Sequence, residues 1–276
     1  MRKNVYTIVT ERIMDQLNKG VVPWRKPWVN GGAVSWKTQK AYRGINTFLL
    51  PPGEYATFKQ IQEAKGKVKK GEASHVVVFW KWLEKENKDT EKAQKIPLLR
   101  YYRVFEVNSQ VEGLNSKREE QHFDHDPIEK AEAIYEVYID GPTFTFSPGR
   151  AYYSPSIDQI NCPPLRHFPK AEEFYSTLLH EMVHSTGHQK RLSRSGITTE
   201  SVAFGDEVYS KEELVAEMGA AMLCGTAGID NTIENSASYI QSWLRALKED
   251  HKLVVHAAAQ AQKACDYILG ENEESE

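Results

Sequence analysis

Residues 180–184 read His-Glu-Met-Val-His, and the spacing of the two histidines decides how the second half of the chain is read. On a helix, positions i and i+4 share one face a turn apart, so the imidazoles of His180 and His184 can reach one metal ion, at about 2.0–2.1 Å for zinc. Glu181 stands on the neighbouring arc. From there it can take a proton from water made acidic by the metal and return it to a leaving amine. Around the motif, Phe174, Leu178, Leu179, Met182 and Val183 supply the apolar stripe that buries such a helix and leaves the histidines facing a cleft. The helix is expected over 171–186.

A catalytic zinc takes a third protein ligand and keeps one position open for water. Downstream, Glu212-Glu213-Leu214-Val215-Ala216-Glu217 opens another helix, expected over 210–225, with Glu213 and Glu217 one turn apart. The pair resembles the gluzincin arrangement, in which the first acid of E-x-x-x-D/E binds the metal and the second hydrogen-bonds a ligand histidine. That resemblance assigns Glu213 to zinc and Glu217 to the supporting place, with the reverse order as the alternative. His188 is a competing ligand. It follows Gly187 directly, whereas metzincins place their third histidine three residues beyond such a glycine. Tyr153 and Tyr209 are candidates for oxyanion support, and residues 150–158 for an edge strand that would hold an extended peptide.

Moving outward, Pro127 opens a helix to about 138, followed by short strands near 143–146, 150–153 and 157–160. Helices over 233–248 and 251–269 and an acidic tail complete the half. The stretch 115–126 is polar and turn-rich, which suits a linker between domains at 1–114 and 127–276. Such a linker permits either docking or independent motion. In the first half, residues 3–19 have helical periodicity and Pro23 to Trp28 should be extended. A short helix falls near 57–65 and a basic turn at 66–71. Two strands, 76–82 and 98–107, form a hairpin around a long polar loop at 84–95. The fold class expected is therefore α+β: an α+β N-terminal domain, then a mainly helical domain with a small sheet.

Charge divides the chain at the same place. Residues 1–112 hold 21 Lys and Arg against 11 Asp and Glu, a net of +10, while the rest holds 14 against 27, a net of −13. The basic part also contains five of the six tryptophans, and cations with exposed aromatic faces are what single-stranded nucleic acid requires. Candidate contacts are Trp24, Arg25, Lys26, Trp28, Lys37, Lys40, Tyr42, Arg43, Lys67, Lys69 and Lys70. Composition alone equally allows the tryptophans to be core and the lysines a solvated face. Three widely spaced cysteines, Cys162, Cys224 and Cys265, argue against a disulfide framework or a thiolate metal site. No apolar run is long enough for a membrane span, and the first residues lead into a polar amphipathic segment, so a cytoplasmic protein is expected.

Several strings taken together point further. Pro23-Trp24-Arg25-Lys26-Pro27-Trp28, Ala41-Tyr42-Arg43-Gly44-Ile45-Asn46, Val68-Lys69-Lys70-Gly71-Glu72 and Tyr102-Arg103-Val104-Phe105 with Gln110 to Leu114 resemble the N-terminal domain of ArdC-type antirestriction proteins. Tyr152-Tyr153-Ser154-Pro155, the run from His180 to His188, Arg191-Leu192 and the acidic string at 212–217 resemble that family's zincin-like domain. The resemblance covers about residues 1–225. It implies a protein of plasmids or other mobile elements that binds single-stranded DNA entering a recipient cell, counters restriction, and carries a peptidase site with one zinc per chain acting on an unidentified protein. Two other functions fit the same residues: a DNA-binding shield whose zinc site is structural or degenerate, and a free-standing peptidase without DNA contact.

Overall fold

A computed structural model of the chain describes residues 4–19, 21–25, 32–86, 93–117, 127–198, 207–229 and 237–271; the side chains of 25, 84–86, 93–95, 127, 207–210 and 237–239 lie outside the description. The chain folds as two α+β domains. The first begins with α1 (Val5–Asn18), which buries Val9, Ile13 and Leu17 at four-residue spacing and is capped by the Asn4 side chain accepting from Tyr6 N. A single turn at Pro23–Arg25 replaces the extended segment expected there. Then come β1 (Ala33–Ser35), α2 (Asn46–Leu49), β2 (Gly53–Thr57) and α3 (Phe58–Glu63). In α3, Thr57 and Gln60 cap each other reciprocally, which fixes where the helix starts. The domain closes with β3 (Lys67–Val68), β4 (His75–Glu86), β5 (Ala93–Glu106), α4 (Val107–Gln110) and β6 (Val111–Glu112).

The main sheet has the order β1-β2-β5-β4, parallel only between β1 and β2. The β4–β5 ladder continues outward to Glu86 paired with Ala93, so six of the twelve residues expected as loop, 84–86 and 93–95, are strand. The sequence 84–95 carries no apolar alternation for a strand pattern to register.

The second domain comprises α5 (Pro127–Glu136), β7 (Thr143–Thr145), β8 (Tyr152–Ser154), β9 (Gln159–Asn161), α6 (Ala171–Thr186), α7 (Ser195–Thr198), α8 (Glu207–Ala227), α9 (Ala237–Glu249) and α10 (Leu253–Leu269). Its small sheet has β9 in the middle, leaving β7 and β8 as edges. Helices α6, α8 and α10 form the core, and Gly219 of α8 lets α6 come close. A methyl at residue 219 would lie 2.7 Å from Val183 Cγ2.

One apolar core runs through both domains. Val9, Ile13, Trp24 and Phe48 of the first join Trp243, Leu247, Val254 and Ala258 of the second. Trp24 is fully buried, edge-on to Trp243 at 5.2 Å and to Phe48 at 6.2 Å. Polar ties accompany this contact. Thr10 Oγ1 donates to the carbonyl of His251 at 2.7 Å, the Arg43 guanidinium donates to Asp266 of α10, and Gly44 N donates to Gln262 Oε1 at 3.0 Å.

These contacts revise several expected DNA contacts. Trp24 offers no face to a base because it is core. Tyr42 is half-buried beside Tyr55 and Tyr102, and burial, reinforced by those phenols, holds its hydroxyl proton tightly. Arg43 is committed to Asp266 and Glu271, and Lys69 Nζ donates to the Ser109 carbonyl at 2.7 Å. Lys37, Lys40, Lys67 and Lys70 remain exposed. Lys26, Trp28 and the side chain of Arg25 lie outside the described residues.

Candidate metal centre

Helix α6 buries Phe174, Tyr175, Leu178, Leu179, Met182 and Val183 on one side, and Glu172 and Glu173 in its first turn suit its N-terminal dipole. On the remaining arc, His180 and His184 point their Nε2 atoms at one another across 3.1 Å, with the rings nearly perpendicular at 81°. Helix α8 brings Glu213 over the pair. Its Oε2 is 3.6 Å from His180 Nε2 and its Oε1 is 3.5 Å from His184 Nε2. These three residues are the described group able to hold a metal ion through converging atoms, one from each and all within 4.8 Å of one another.

The donor set fits a divalent metal. Ligand bonds of about 2.0–2.1 Å separate tetrahedral ligand atoms by roughly 3.3 Å, close to the spacings seen, and three protein ligands leave a position open. Two ring nitrogens facing at 3.1 Å cannot both carry protons toward each other, whereas a cation satisfies both lone pairs.

On the far side of His184, Nδ1 lies 3.4 Å from Glu212 Oε1. Glu212 is buried and gripped by the equally buried Arg194, with Nε to Oε2 at 3.0 Å and Nη2 to Oε1 at 2.6 Å. Arg194 spends its other donors on Thr186 Oγ1 and the Val183 carbonyl of α6. Gly196 makes room for this, since a methyl there would meet Glu212 Cβ at 2.6 Å. The carboxylate beside His184 Nδ1 is Glu212, which the sequence reading had passed over in favour of Glu217. Glu217 is buried one turn beyond Glu213, and its charge favours the His180 imidazolium. His180 Nδ1 has no hydrogen-bond partner among the described residues.

The electrostatics follow from this packing of carboxylates around imidazoles. Burial disfavours the charged form of both histidines, but the carboxylates that accept from them outweigh it, Glu213 for His180 and Glu212 and Glu213 for His184, so both values lie above the ordinary imidazole one. Burial likewise pushes the Glu213 carboxyl up, and the two histidines pull it far below its ordinary range. For Glu212 the opposing groups are His184 and Arg194, and its value is lowered.

Glu181 is half-buried on α6, and no hydrogen bond or ion pair holds its carboxylate among the described residues. The buried Cys162 lies near it. Burial first, then the Glu181 charge, pushes that thiol up to about 12, so it stays protonated. His188 is outside the converging group. Its Nδ1 accepts from Lys190 N at 3.2 Å and lies 4.0 Å from Asp158. Tyr153 is also committed elsewhere: its hydroxyl donates to Asp158 Oδ1 at 2.9 Å and accepts from Arg191 Nη2 at 3.3 Å, which leaves little for an oxyanion. The side chain of Tyr209 lies outside the described residues. Arg191 itself forks onto Asp158 and reaches the carbonyls of Ser185 and Asp140 at 2.8 and 3.0 Å. It thereby fastens the β8–β9 turn to the end of the ligand helix.

Comparison with known proteins assigns both halves of the chain to described families. Residues 129–260 match the family described as zincin-like metallopeptidase, and residues 3–105 match the N-terminal domain of anti-restriction factor ArdC. Two DNA primases TraC of Escherichia coli are 33% and 35% identical over 97% and 98% of this chain, which spans only 20% and 27% of their lengths. The uncharacterized protein y4eC of Sinorhizobium fredii (strain NBRC 101917 / NGR234) is 30% identical over 99% of this chain and 94% of its own length. The crystal structure of the antirestriction protein ArdC from plasmid R388, metal-free, superposes with a TM-score of 0.79 at 35% identity, covering 98% of each chain. Its Mn(II)-bound form gives 0.77 at 34% identity, covering 99% of this chain and 100% of that one. With both halves matched in order and a solved relative aligned along nearly the whole length, the chain belongs to the ArdC-type antirestriction family.

Proposed function

We propose that this protein is a DNA-tethered zinc metallopeptidase of a mobile element, working in the cytoplasm of a recipient cell. The first domain holds single-stranded DNA, and the second hydrolyses a peptide bond in a protein found beside it. The observation that carries the peptidase half is the convergence of His180, His184 and Glu213, with the half-buried carboxylate of Glu181 on the same helix acting electrostatically on both histidines. A bound zinc ion would supply Lewis acidity to the scissile carbonyl and acidify a water. Glu181 accepts the proton of the attacking water and delivers it to the leaving amine. Glu212 holds the His184 ring through Nδ1 so that Nε2 faces the metal position, and Arg194 holds Glu212. The exposed edge of β8 is available to an extended peptide, and Arg191 sets its place relative to α6.

The test is Glu181→Gln. It keeps the shape and the three ligands, so the variant should bind zinc as the wild type does and lose cleavage of a protein substrate by at least about 100-fold. Retained cleavage would remove Glu181 from this role. Equal protection of incoming DNA by wild type and variant would favour a shield that acts by occlusion, without turnover.

A further inference from the structure

Among the described residues, six of the fourteen exposed large apolar side chains lie on the β4–β5 arm: Phe79, Trp80, Trp82, Leu83, Ile96 and Tyr101. Pairing along the ladder sorts them by face, because directly opposed residues point the same way. Val76, Val78, Trp80 and Trp82 share a face with Arg103, Tyr101, Leu99 and Pro97. On this face Val78 and Leu99 are buried in the core that α1 shares, whereas their partners Tyr101 and Trp80 are 37% and 39% exposed and Trp82, farther out, is 57% exposed. Trp80 and Trp82 stand about 6.8 Å apart along the strand.

The face continues across the domain boundary. Trp80 meets the Tyr6 ring of α1 edge-on at 6.4 Å, and Tyr6 meets His256 of α10 at 6.0 Å. The ammonium of Lys252 stands 5.9 Å from the Tyr6 ring centre. Charge identifies the occupant. The described arm side chains, 75–83 and 96–104, include no acid; of their cations Arg103 lies on the tryptophan face, and Lys81 and Arg100 lie on the other. Aromatic faces in a row with cations alongside suit a polyanion that carries flat rings.

We propose that Trp82, Trp80 and Tyr101, continued by Tyr6 and ending at Lys252 and His256, form a stacking track for single-stranded DNA that leads from the arm onto the second domain. The assignment rests on the single-strand binding proposed above and gives that binding a place. It differs from a footprint confined to the lysines at 67 and 70.

The experiment measures binding of a labelled oligothymidylate by fluorescence polarisation at two salt concentrations. The proteins are wild type, Trp82→Ala, Trp82→Phe, Lys252→Glu and the double variant Lys67→Glu/Lys70→Glu. Trp82 is the most exposed of the rings, and an unchanged thermal midpoint verifies the fold of each variant. Trp82→Ala should weaken binding roughly 5- to 100-fold while Trp82→Phe keeps most of it. Lys252→Glu should also weaken binding and reduce the salt slope by about 0.7, the value for one phosphate contact on a single strand. Wild-type binding by both Trp82→Ala and Lys252→Glu, with loss confined to the double lysine variant, overturns the track and leaves single-strand binding standing. Absence of wild-type binding at low salt overturns both.

Discussion

Glu212 faces two buried partners at once, an imidazole that must present its other nitrogen to a metal and a guanidinium that would otherwise be uncompensated. Removing one member of such a buried pair costs about 3–5 kcal/mol, and removing the group behind a metal-binding histidine costs roughly 10–100-fold in metal affinity. Glu212→Ala is therefore expected to lower the thermal midpoint of the metal-free protein and to weaken metal binding by titration. A larger loss in Glu217→Ala than in Glu212→Ala would return the supporting role to Glu217. The sequence made His180 and His184 legible because their relation is local, four residues on one helix. Glu213, far along the chain, needed a resemblance to be singled out. The Glu212–Arg194 pair carried no signal, since its two members meet only when the loop between α6 and α8 folds back.

At the scale of elements, helices were the readable part: α6, α8 and α10 repeat their apolar residues over many turns. The strands β1, β2, β3 and β6 run only two to five residues, and no sequence pattern foretold them, although the equally short β7, β8 and β9 were expected from their sequence. The small sheet is held to α6 by the Asp158–Arg191 pair. Burial raises the Asp158 carboxyl, but hydrogen bonds from Arg191 and Tyr153 outweigh it, so its folded value lies below its unfolded one of about 3.9. The folded state thus binds fewer protons. This stabilisation is present above pH 4 or so and is lost as pH falls through the lowered value. Asp158 also adopts a left-handed backbone, φ 49°, which asparagine tolerates. Asp158→Asn should melt below wild type at pH 6, and the gap in midpoints should close on acidification below about pH 4. A gap independent of pH would show that the carboxylate charge is not what fastens the turn.

The whole molecule was read from its charge asymmetry as two units with different partners, and their contact could not be foreseen because composition does not say which tryptophans are core. Trp24, a candidate for base stacking on sequence, is the residue through which the domains share their interior. Trp24→Ala opens a cavity there and should cost about 3–5 kcal/mol. Because the core is shared, that loss should appear as one cooperative transition, followed equally by far-ultraviolet circular dichroism and by release of bound metal. Separate melting of the N-terminal domain in the variant would count against a common interior.

The burial of Trp24 against Trp243 bears on how such a protein can be reused. A cassette cut at the polar stretch between the domains would leave an indole and its aliphatic neighbours bare on each piece, an invitation to aggregate. The pair is thus the smallest unit that can be moved intact into a larger polypeptide. The matches to the TraC primases run over 97% and 98% of this chain although it occupies 20% and 27% of their lengths, as expected when the two domains are transplanted together.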